Sequence, residues 1–289
     1  MSGGAMAYDF EVGGLYYNIA NKTNFYASVT NGSYSGNIII PNSVINPNDG
    51  KAYAVTRIED SAFKNCKELT SVSIGNNVTS IGYDAFAGCT ALTEIVIPDN
   101  VTTLGSGGML CCIFRGCSNL EKATIGSGAK SIGYQMFSNC PKLKYVTLKE
   151  GLENIDYQCF SGCNSLEDIT IPSTMVSIGD QAFSGVKELK TITVKSIIPP
   201  SANTNVFTNQ VYNEATLIVY ESAIDDYKAH PTWQKFFHIV PTEISNIIVC
   251  PNNEITEVFM LDGQSIDSPQ KGINVVRMKN GKTKKIIVR

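Results

Sequence analysis

The fold is decided by a segment from residue 78 to residue 98, which reads VTSIGYDAFAGCTALTEIVIP. Written as a pattern, V-T-x-I-G-x-x-A-F-x-x-C-x-x-L-x-x-I-x-I-P, it occurs in six tandem copies. Its aromatic position is filled by Phe63, Phe86, Phe114, Phe137, Phe160 and Phe183. The intervals between these phenylalanines are 23, 28, 23, 23 and 23 residues. A fixed period of this length predicts a repeat architecture, in which each unit buries its apolar side chains against the next.

The other apolar positions of the pattern keep the same register. In the second copy, Ile81 leads the unit, Leu92 follows the cysteine, and Ile95 and Ile97 close it with one residue between them. Apolar residues two apart predict a strand with one buried face. The A-F-x-x-C piece is too short for a full helix, so we predict a short helical or 3₁₀ turn at the corner of each coil.

The signature I-G-x-x-A-F-x-x-C-x-x-L resembles the BspA-like leucine-rich-repeat family of bacterial, Bacteroidetes-type surface proteins. The resemblance covers residues 55 to 196, about half of the chain. It implies a mostly β fold with short helical turns, namely a right-handed leucine-rich-repeat solenoid of six 23-residue coils, capped at both ends and followed by a small β-domain. It also implies a secreted or cell-surface protein that binds host or bacterial proteins, as in adhesion.

Four segments are expected along the chain. Residues 8–57 form an N-terminal β cap region whose first strand is 10–17, and residues 58–196 form the solenoid. Residues 197–241 resemble a C-terminal cap, with a strand at 216–220, an amphipathic helix around 223–227 and Trp233 nearby. Residues 242–289 are expected to form a small β-sandwich-like module.

The C-terminal module contains three predicted strands. They begin at Glu257, Gly272 and Lys284, and Asn280-Gly281 is a tight hairpin signal between the last two. The module is similar to the β-domains at the ends of secreted Bacteroidetes proteins, some of which direct export. A purely structural β-domain that caps the rod explains the same pattern equally well.

Composition excludes some classes of partner. Only 17% of residues are charged and the net charge is −3, so the chain lacks the basic footprint of a nucleic-acid-binding protein. No apolar run is long enough to span a bilayer. The first six residues look like a trimmed start and do not have the pattern of a signal peptide, which leaves export open. We expect a monomer at the extracellular or outer-membrane surface.

Catalytic residues are scarce in the sequence. The two histidines, His230 and His238, both fall in the C-terminal cap and have no serine or cysteine nucleophile beside them. The string GSGAKS at 126–131 lacks the Gly-Lys step of a phosphate-binding loop. We therefore expect no enzymatic activity, no bound cofactor and no metal.

Five of the nine cysteines share one repeat position: Cys66, Cys89, Cys117, Cys140 and Cys163. Such a row allows a metal site, a disulfide ladder or a line of buried thiols that donate weak hydrogen bonds to the backbone. A line of ligands without a nearby histidine favours buried thiols. Cys159 replaces the alanine before a phenylalanine, and we expect it to be buried as well.

The single break in the repeat lies at residues 106–113, which read SGGMLCCI. We predict an inserted loop that exposes Cys111 and Cys112. With Met109 and Leu110, the loop is either an apolar contact for a partner or a tolerated insertion without function. Cys250 falls in the tail.

The outward side of the closing strands is the candidate ligand face, because repeat proteins bind partners on such surfaces. Its two rows are Ser71, Glu94, Lys122, Tyr145, Asp168 and Thr191, and Ser73, Val96, Thr124, Thr147, Thr170 and Thr193. A threonine-rich face is also explained by strand propensity alone. A second row of candidates consists of Tyr83, Tyr134 and Tyr157.

Three functions fit this face. The first is a scaffold for a protein partner, either a host matrix protein or a bacterial surface protein. The second is a carbohydrate-binding module of a gut commensal, with the exposed tyrosines as contacts. The third is a structural spacer that holds another module away from the cell.

Overall fold

The computed structural model describes residues 8–105 and 111–242, together with four strands of the tail at 255–259, 265–266, 272–278 and 283–288. Six strands precede the regular repeats. They are β1 (Phe10–Val12), β2 (Leu15–Asn21), β3 (Tyr26–Val29), β4 (Gly36–Ile40), β5 (Ser43–Ile45) and β6 (Ala52–Ile58).

Long and short strands then alternate through the repeats. They are β7 (Leu69–Ile74), β8 (Ser80–Ile81), β9 (Glu94–Ile97), β10 (Thr103–Leu104), β11 (Lys122–Ile125), β12 (Ser131–Ile132), β13 (Tyr145–Leu148), β14 (Asn154–Ile155), β15 (Asp168–Ile171), β16 (Ser177–Ile178) and β17 (Thr191–Val194). Odd numbers in this series are the long strands and even numbers the short ones. One coil runs from a short strand, through the phenylalanine turn, to a long strand, and the end of β6 serves as the short strand of the first coil.

Successive coils stack through parallel strand pairs on two sides. On the long-strand side, β9, β11 and β13 pair in parallel so that Ile95, Ala123 and Val146 lie in one line. On the short-strand side, β12, β14 and β16 pair in parallel and align Ile132 with Ile155 and Ile178. The 23-residue period therefore places equivalent residues beside one another from coil to coil.

The repeat phenylalanines form a column through the core. Neighbouring rings from Phe63 to Phe183 stack nearly parallel, with centroids 4.9 to 5.5 Å apart. All six side chains are fully buried. This spacing is close to the ~4.8 Å that separates paired strands, so one coil height satisfies both the ring stacking and the backbone hydrogen bonds.

The corner, predicted as a short helical or 3₁₀ turn, has the hydrogen bonds between residues three apart that are typical of 3₁₀ turns. The corner contains isolated turns, such as Cys89 N–H to the Phe86 carbonyl at 3.2 Å and Leu92 N–H to the Cys89 carbonyl at 3.2 Å. Two residues per coil adopt left-handed backbone angles, one two residues before the phenylalanine and one two residues after it. These residues are Ser61, Asp84, Cys112, Gln135, Gln158 and Gln181, and Asn65, Gly88, Gly116, Asn139, Gly162 and Gly185. Left-handed residues interrupt a right-handed helix, and so the corner turns sharply.

The N-terminal segment differs from the expected single strand at 10–17. Strands β1 and β2 form an antiparallel hairpin, because Gly13 and Gly14 both take positive φ and reverse the chain between them. Strand β3 pairs in parallel with β6, and β4 pairs in parallel with β7. Tyr34 extends the aromatic column, with its ring 4.6 Å from that of Phe63.

The segment after the sixth coil continues the stack as an irregular seventh coil. Its elements are β18 (Ser201–Ala202), α1 (Asn209–Glu214), β19 (Thr216–Val219), α2 (Ile224–Ala229) and β20 (His238–Pro241), with 3₁₀ turns at Glu221–Ala223 and Trp233–Lys235. Phe207 stacks on Phe183 at 5.0 Å. The predicted strand at 216–220 and helix near 223–227 are confirmed, while α1 was not expected.

The end of this segment is closed by aromatic packing. Trp233 is fully buried, and its indole N–H donates to the Pro200 carbonyl at 2.8 Å. Its ring contacts Phe207, Tyr227 and Phe236. These rings cover the end of the aromatic column at Phe207.

The described part of the tail contains four strands in one antiparallel sheet. They are β21 (Ile255–Phe259), β22 (Ser265–Ile266), β23 (Gly272–Met278) and β24 (Thr283–Val288), in the order β22-β21-β23-β24. The hairpin between β23 and β24 is confirmed by their register, which aligns Arg277 with Thr283. The Asn280-Gly281 turn and Cys250 lie outside the described residues, and the described strands of the tail form a single layer.

Candidate binding face

The long strands place the twelve candidate residues on their outward side. Where the strands pair, the register is direct: Glu94, Lys122 and Tyr145 lie side by side, as do Val96, Thr124 and Thr147. The same holds for Asp168 with Thr191 and for Thr170 with Thr193. The alternating residues of each strand point inward to the core, which is why the outward set forms two rows.

Exposure varies along the face. Tyr145 and Val96 are the large side chains that stand out, with 55% and 48% of their surface exposed. Ser71, Ser73, Glu94, Lys122, Thr147 and Asp168 are exposed too. Thr124, Thr170, Thr191 and Thr193 are half-buried between their neighbours. The face therefore combines a polar background with two prominent apolar groups.

The face extends beyond the predicted residues at both ends. Before the first coil, Asn37 aligns with Ser71 and Ile39 with Ser73. After the sixth coil, Thr216 aligns with Thr191, and β20 follows β19 in register. The I-I-I run of β4 and the T-L-I-V run of β19 are rich in β-branched residues. This composition is the sequence feature that predicts these two additional strands.

A chain of ion pairs runs along one border of the face. Glu167 receives Lys144 at 3.2 Å and Lys190 at 3.1 Å, one from the coil before and one from the coil after. Hydrogen bonds from Lys190 and Lys144 lower the pKa of Glu167, and the bond to Glu167 raises the pKa of Lys144. The Lys144 ammonium also lies 5.7 Å from the centre of the Tyr145 ring.

The opposite border is connected across two coils. Lys149 lies 2.9 and 3.0 Å from the two carboxylate oxygens of Asp99, and Asp99 also accepts a hydrogen bond from the Ser127 N–H at 2.9 Å. These contacts, first of all that of Lys149, lower the pKa of Asp99. Both borders thus hold their lysines and carboxylates in pairs.

Comparison with known sequences identifies the repeat. The sequence model of the BspA type Leucine rich repeat region matches six copies, over residues 56–113 and 111–214, which is more than half of the chain. This chain belongs to the BspA-type leucine-rich-repeat family. No curated protein matches it.

Several solved structures are similar to this BspA-type chain. A leucine rich cell surface protein from Faecalibacterium prausnitzii A2-165 is 25% identical, with a TM-score of 0.47 over 74% of this chain and 71% of that one. The T. pallidum Leucine Rich Repeat protein is 20% identical, with a TM-score of 0.41 over 73% and 86%. A leucine-rich repeat protein from Bacteroides ovatus ATCC 8483 is 20% identical, with a TM-score of 0.39 over 81% and 76%.

The cysteine ladder of the BspA-type repeat is a row of buried thiols, as predicted. From the second coil onward, each ladder thiol donates to the carbonyl of the phenylalanine one coil earlier, as Cys89 does to Phe63 at 3.0 Å and Cys140 to Phe114 at 3.1 Å; Cys66 donates to the Gly32 carbonyl. Burial raises the pKa of Cys89 and of Cys140 to about 12. Cys159 is fully buried as well. These thiols are therefore protonated and poorly reactive at neutral pH.

The prediction that Cys111 and Cys112 lie in an exposed loop is wrong. Both are buried and occupy regular coil positions, because Asp84 N–H donates to the Cys111 carbonyl and Cys112 N–H to the Tyr134 carbonyl. The five extra residues thus fall before Cys111, at 106–110. Met109 and Leu110 lie outside the described residues.

The position of the insertion before Cys111 also interrupts the expected tyrosine row. Tyr134 and Tyr157 stack with ring centres 5.4 Å apart. Cys111 occupies the equivalent position in the coil between Tyr83 and Tyr134, so Tyr83 is separated from the stacked pair. The tyrosine row is reduced to one pair on the corner side of the coils.

The two histidines stand apart from any nucleophile in the described contacts. His230 accepts a hydrogen bond from the Thr232 N–H through Nδ1 at 3.2 Å, and burial lowers its pKa. His238 is exposed at the start of β20. Across the described residues, no three or more His, Cys, Asp and Glu side chains are grouped to hold a metal ion. In the same part of the chain, no helix has both the length and the apolar character of a membrane span.

Proposed function

We propose that this BspA-type chain is a secreted or cell-surface scaffold that binds a protein partner through the outward face of its long strands. The observation that supports the proposal is the pair of outward rows, which present varied side chains on an invariant core. The partner is a host matrix protein or a bacterial surface protein, and the activity is adhesion. The chain itself catalyses no reaction.

Rigidity supports binding by this face. Each long strand is anchored by two inward side chains, and its outward residues are therefore ordered before a partner arrives. A preformed surface loses little conformational entropy on association, which favours affinity. The ion pairs along both borders fix lysines that would otherwise move freely, and this lowers the entropy cost further.

The proposed organisation follows the four segments of the sequence. Residues 58–196 form a right-handed solenoid, residues 8–57 and 197–241 cap it, and residues 242–289 are a separate module. We propose that the module directs export or anchors the protein at the surface, with a structural role as the alternative. The capped solenoid acts as a monomer.

Carbohydrate binding is the second candidate, and the exposure of Tyr145 is the observation that favours it. An exposed aromatic ring beside Asp168 and Thr147 offers a stacking surface with hydrogen-bonding groups around it. Binding to a glycan array that is abolished by Tyr145→Ala would support this function over protein binding.

The test of protein binding uses purified matrix proteins, such as fibronectin, laminin and collagen, immobilised on a biosensor. The variant Lys122→Glu with Asp168→Lys inverts two charges of the face without changing the net charge. We expect it to weaken binding by about tenfold or more, as the loss of interface hot spots does. Thr102→Lys, on the short-strand side, is the matched control. Unchanged binding by the face variant would contradict binding through this face, and no binding by the wild type would exclude a host matrix protein as the partner.

A further inference from the structure

The long-strand sheet is interrupted at two places. Among the described strands, paired registers join β4 to β7, then β9 to β11 and β13, then β15 to β17, β19 and β20. Strand β7 lies beside β9, and β13 lies beside β15, but no paired register joins either couple. The face therefore divides into three paired blocks with two openings between them.

Within the repeats, from β7 to β17, the inward side chains are most exposed at the same two places. In β9, β11, β15 and β17, the inward residues have at most 2% of their surface exposed. In β7, which precedes the first opening, Val72 and Ile74 are 9% and 8% exposed. In β13, which precedes the second, Leu148 is 8% exposed and Val146 is only partly buried. Core side chains are thus accessible from the face at both openings.

Each opening is a groove. The first has a volume of about 600 Å³, with Val72, Ile74 and Val96 among its apolar lining and Asp99 and Lys149 at its rim. The second has a volume of about 240 Å³ and is lined by Tyr145, Val146 and Ile169, with Lys144 and Glu167 at its rim. Both grooves therefore combine aliphatic side chains with polar and charged ones, since Ser73, Asn76 and Asn100 also line the first and Thr147, Asp168 and Thr170 the second.

The charges of these borders indicate what each groove accepts. The Lys149 ammonium is already paired with Asp99, and the Lys144 ammonium is paired with Glu167 beside the Asp168 carboxylate. A ligand anion would meet a carboxylate, and a ligand cation would meet a lysine. An uncharged apolar group meets no charge of its own sign there and gains contact with the aliphatic side chains of the lining.

We infer that the two grooves are paired anchor sites for two apolar side chains of one polypeptide partner. This inference rests on the proposed protein-binding function and specifies its ligand chemistry. Val96 and Tyr145, the two prominent apolar residues among the twelve predicted face positions, line the two grooves and supply contact area for the anchors. Glu94, Lys122 and Thr124 lie on the block between the grooves.

The distance between the grooves restricts the partner sequence. Three strand spacings separate the two openings, or roughly 15 Å. An extended chain spans about 13 Å in four residues and returns the side chain to the same side. A helix needs about eleven residues, or 16 Å, to return to the same side. The anchors are therefore four residues apart in an extended segment or eleven apart in a helix.

A displayed library of random peptides about 16 residues long, selected on the full chain, tests this spacing without a known partner. We expect the enriched peptides to share two apolar residues at one of these separations. Val96→Glu and Tyr145→Glu should each weaken a selected peptide by about tenfold or more. Thr193→Glu, in the continuous block of β15 and β17, should leave its affinity unchanged. Thermal melts by circular dichroism establish that all three variants are folded.

Three results would overturn the inference: no enrichment, enriched peptides without a spaced apolar pair, or equal affinities for the two groove variants and the wild type. Displacement of the peptides by neutral oligosaccharides would also count against it. If a matrix protein responds to the Lys122 and Asp168 changes but to neither groove variant, the anchors fail and the proposed function stands. If peptides behave as expected but no matrix protein binds, only the matrix partner is excluded.

Discussion

The inward and outward residues of the same long strands differ in how much they vary from coil to coil. Inward, every coil repeats the same chemistry, so that Phe114, Phe137 and Phe160 make almost identical contacts. Outward, the first row changes its residue type from Glu94 to Lys122 to Tyr145 within three neighbouring strands. The comparison indicates that the buried side chains and the paired backbones maintain the stack, and that the face is free to vary because its side chains carry little of the packing.

The largest effect expected from this comparison is the loss of one column ring. Phe137→Ala removes a fully buried side chain that stacks on both neighbours and leaves a cavity. We expect a loss of about 3–5 kcal/mol in the free energy of unfolding, measured by urea denaturation. Tyr145→Ala, on the outward side of the same coil, is the control and should be close to neutral. Similar losses for the two variants would remove the distinction between the two sides.

A change at a left-handed corner position should have the next largest effect. Gly162 has a φ of +78°, and a Cβ there would lie 3.1 Å from the Asn139 side-chain oxygen in the preceding coil. Gly162→Ala is expected to cost about 1–2 kcal/mol, because L residues are strained at this φ. The exposed neighbour substitution Asn164→Ala should cost much less. A neutral Gly162→Ala would mean that the corners do not constrain the stack.

A smaller effect is expected from the cysteine ladder. Cys140→Ala removes the S–H donor to the Phe114 carbonyl and a small volume of packing, at a cost of about 1 kcal/mol. The eight described cysteines are free and buried, and in the native state at pH 8 they should resist a thiol-specific reagent. Unfolding in urea should expose them all. Rapid labelling of the native protein at Cys140 or its neighbours would show that the coils open readily.

The smallest effect should come from the border of the face. Glu167→Gln breaks its pairs with Lys144 and Lys190, but exposed ion pairs contribute little to stability. We expect no resolvable change in the urea midpoint at pH 7. Because the pKa of Glu167 is lowered on folding, any stabilisation is present above its ordinary pKa of 4.5 and is lost as the pH falls through the lowered value. A clear loss of stability at pH 7 would contradict this expectation and would mean that the ion pairs of Glu167 stabilise the fold.

Much of the fold could be predicted from the sequence because its signals recur. The 23-residue period locates the aromatic column, and the two-residue alternation separates Ile95 and Ile97 from Val96. The twelve face positions follow from that parity alone. Whether they bind a ligand remains a prediction, because the alternation along a strand shows which side a residue faces and not what it binds.

Other features depend on contacts that the repeat pattern does not encode. Five inserted residues could be placed anywhere between Gly105 and Phe114, and only the hydrogen bonds of Cys111 and Cys112 decide their position. The left-handed corner residues include Gln135 and Gln158, which have no strong preference for that geometry. Phe207 follows Phe183 by 24 residues and lacks the A-F-x-x-C context, and so the repeat pattern does not predict a seventh coil. The two openings of the sheet depend on local strand pairing.

The uniform aromatic column has a consequence for how such a chain changes over generations. Because each coil meets its two neighbours through the same kind of contact, a duplication or deletion of one repeat's coding sequence leaves every remaining junction filled. The outward surface then gains or loses one strand, together with its two variable side chains. Recombination within the gene can in this way change the length of the solenoid and the residues of its outward face in a single step, while the product still folds.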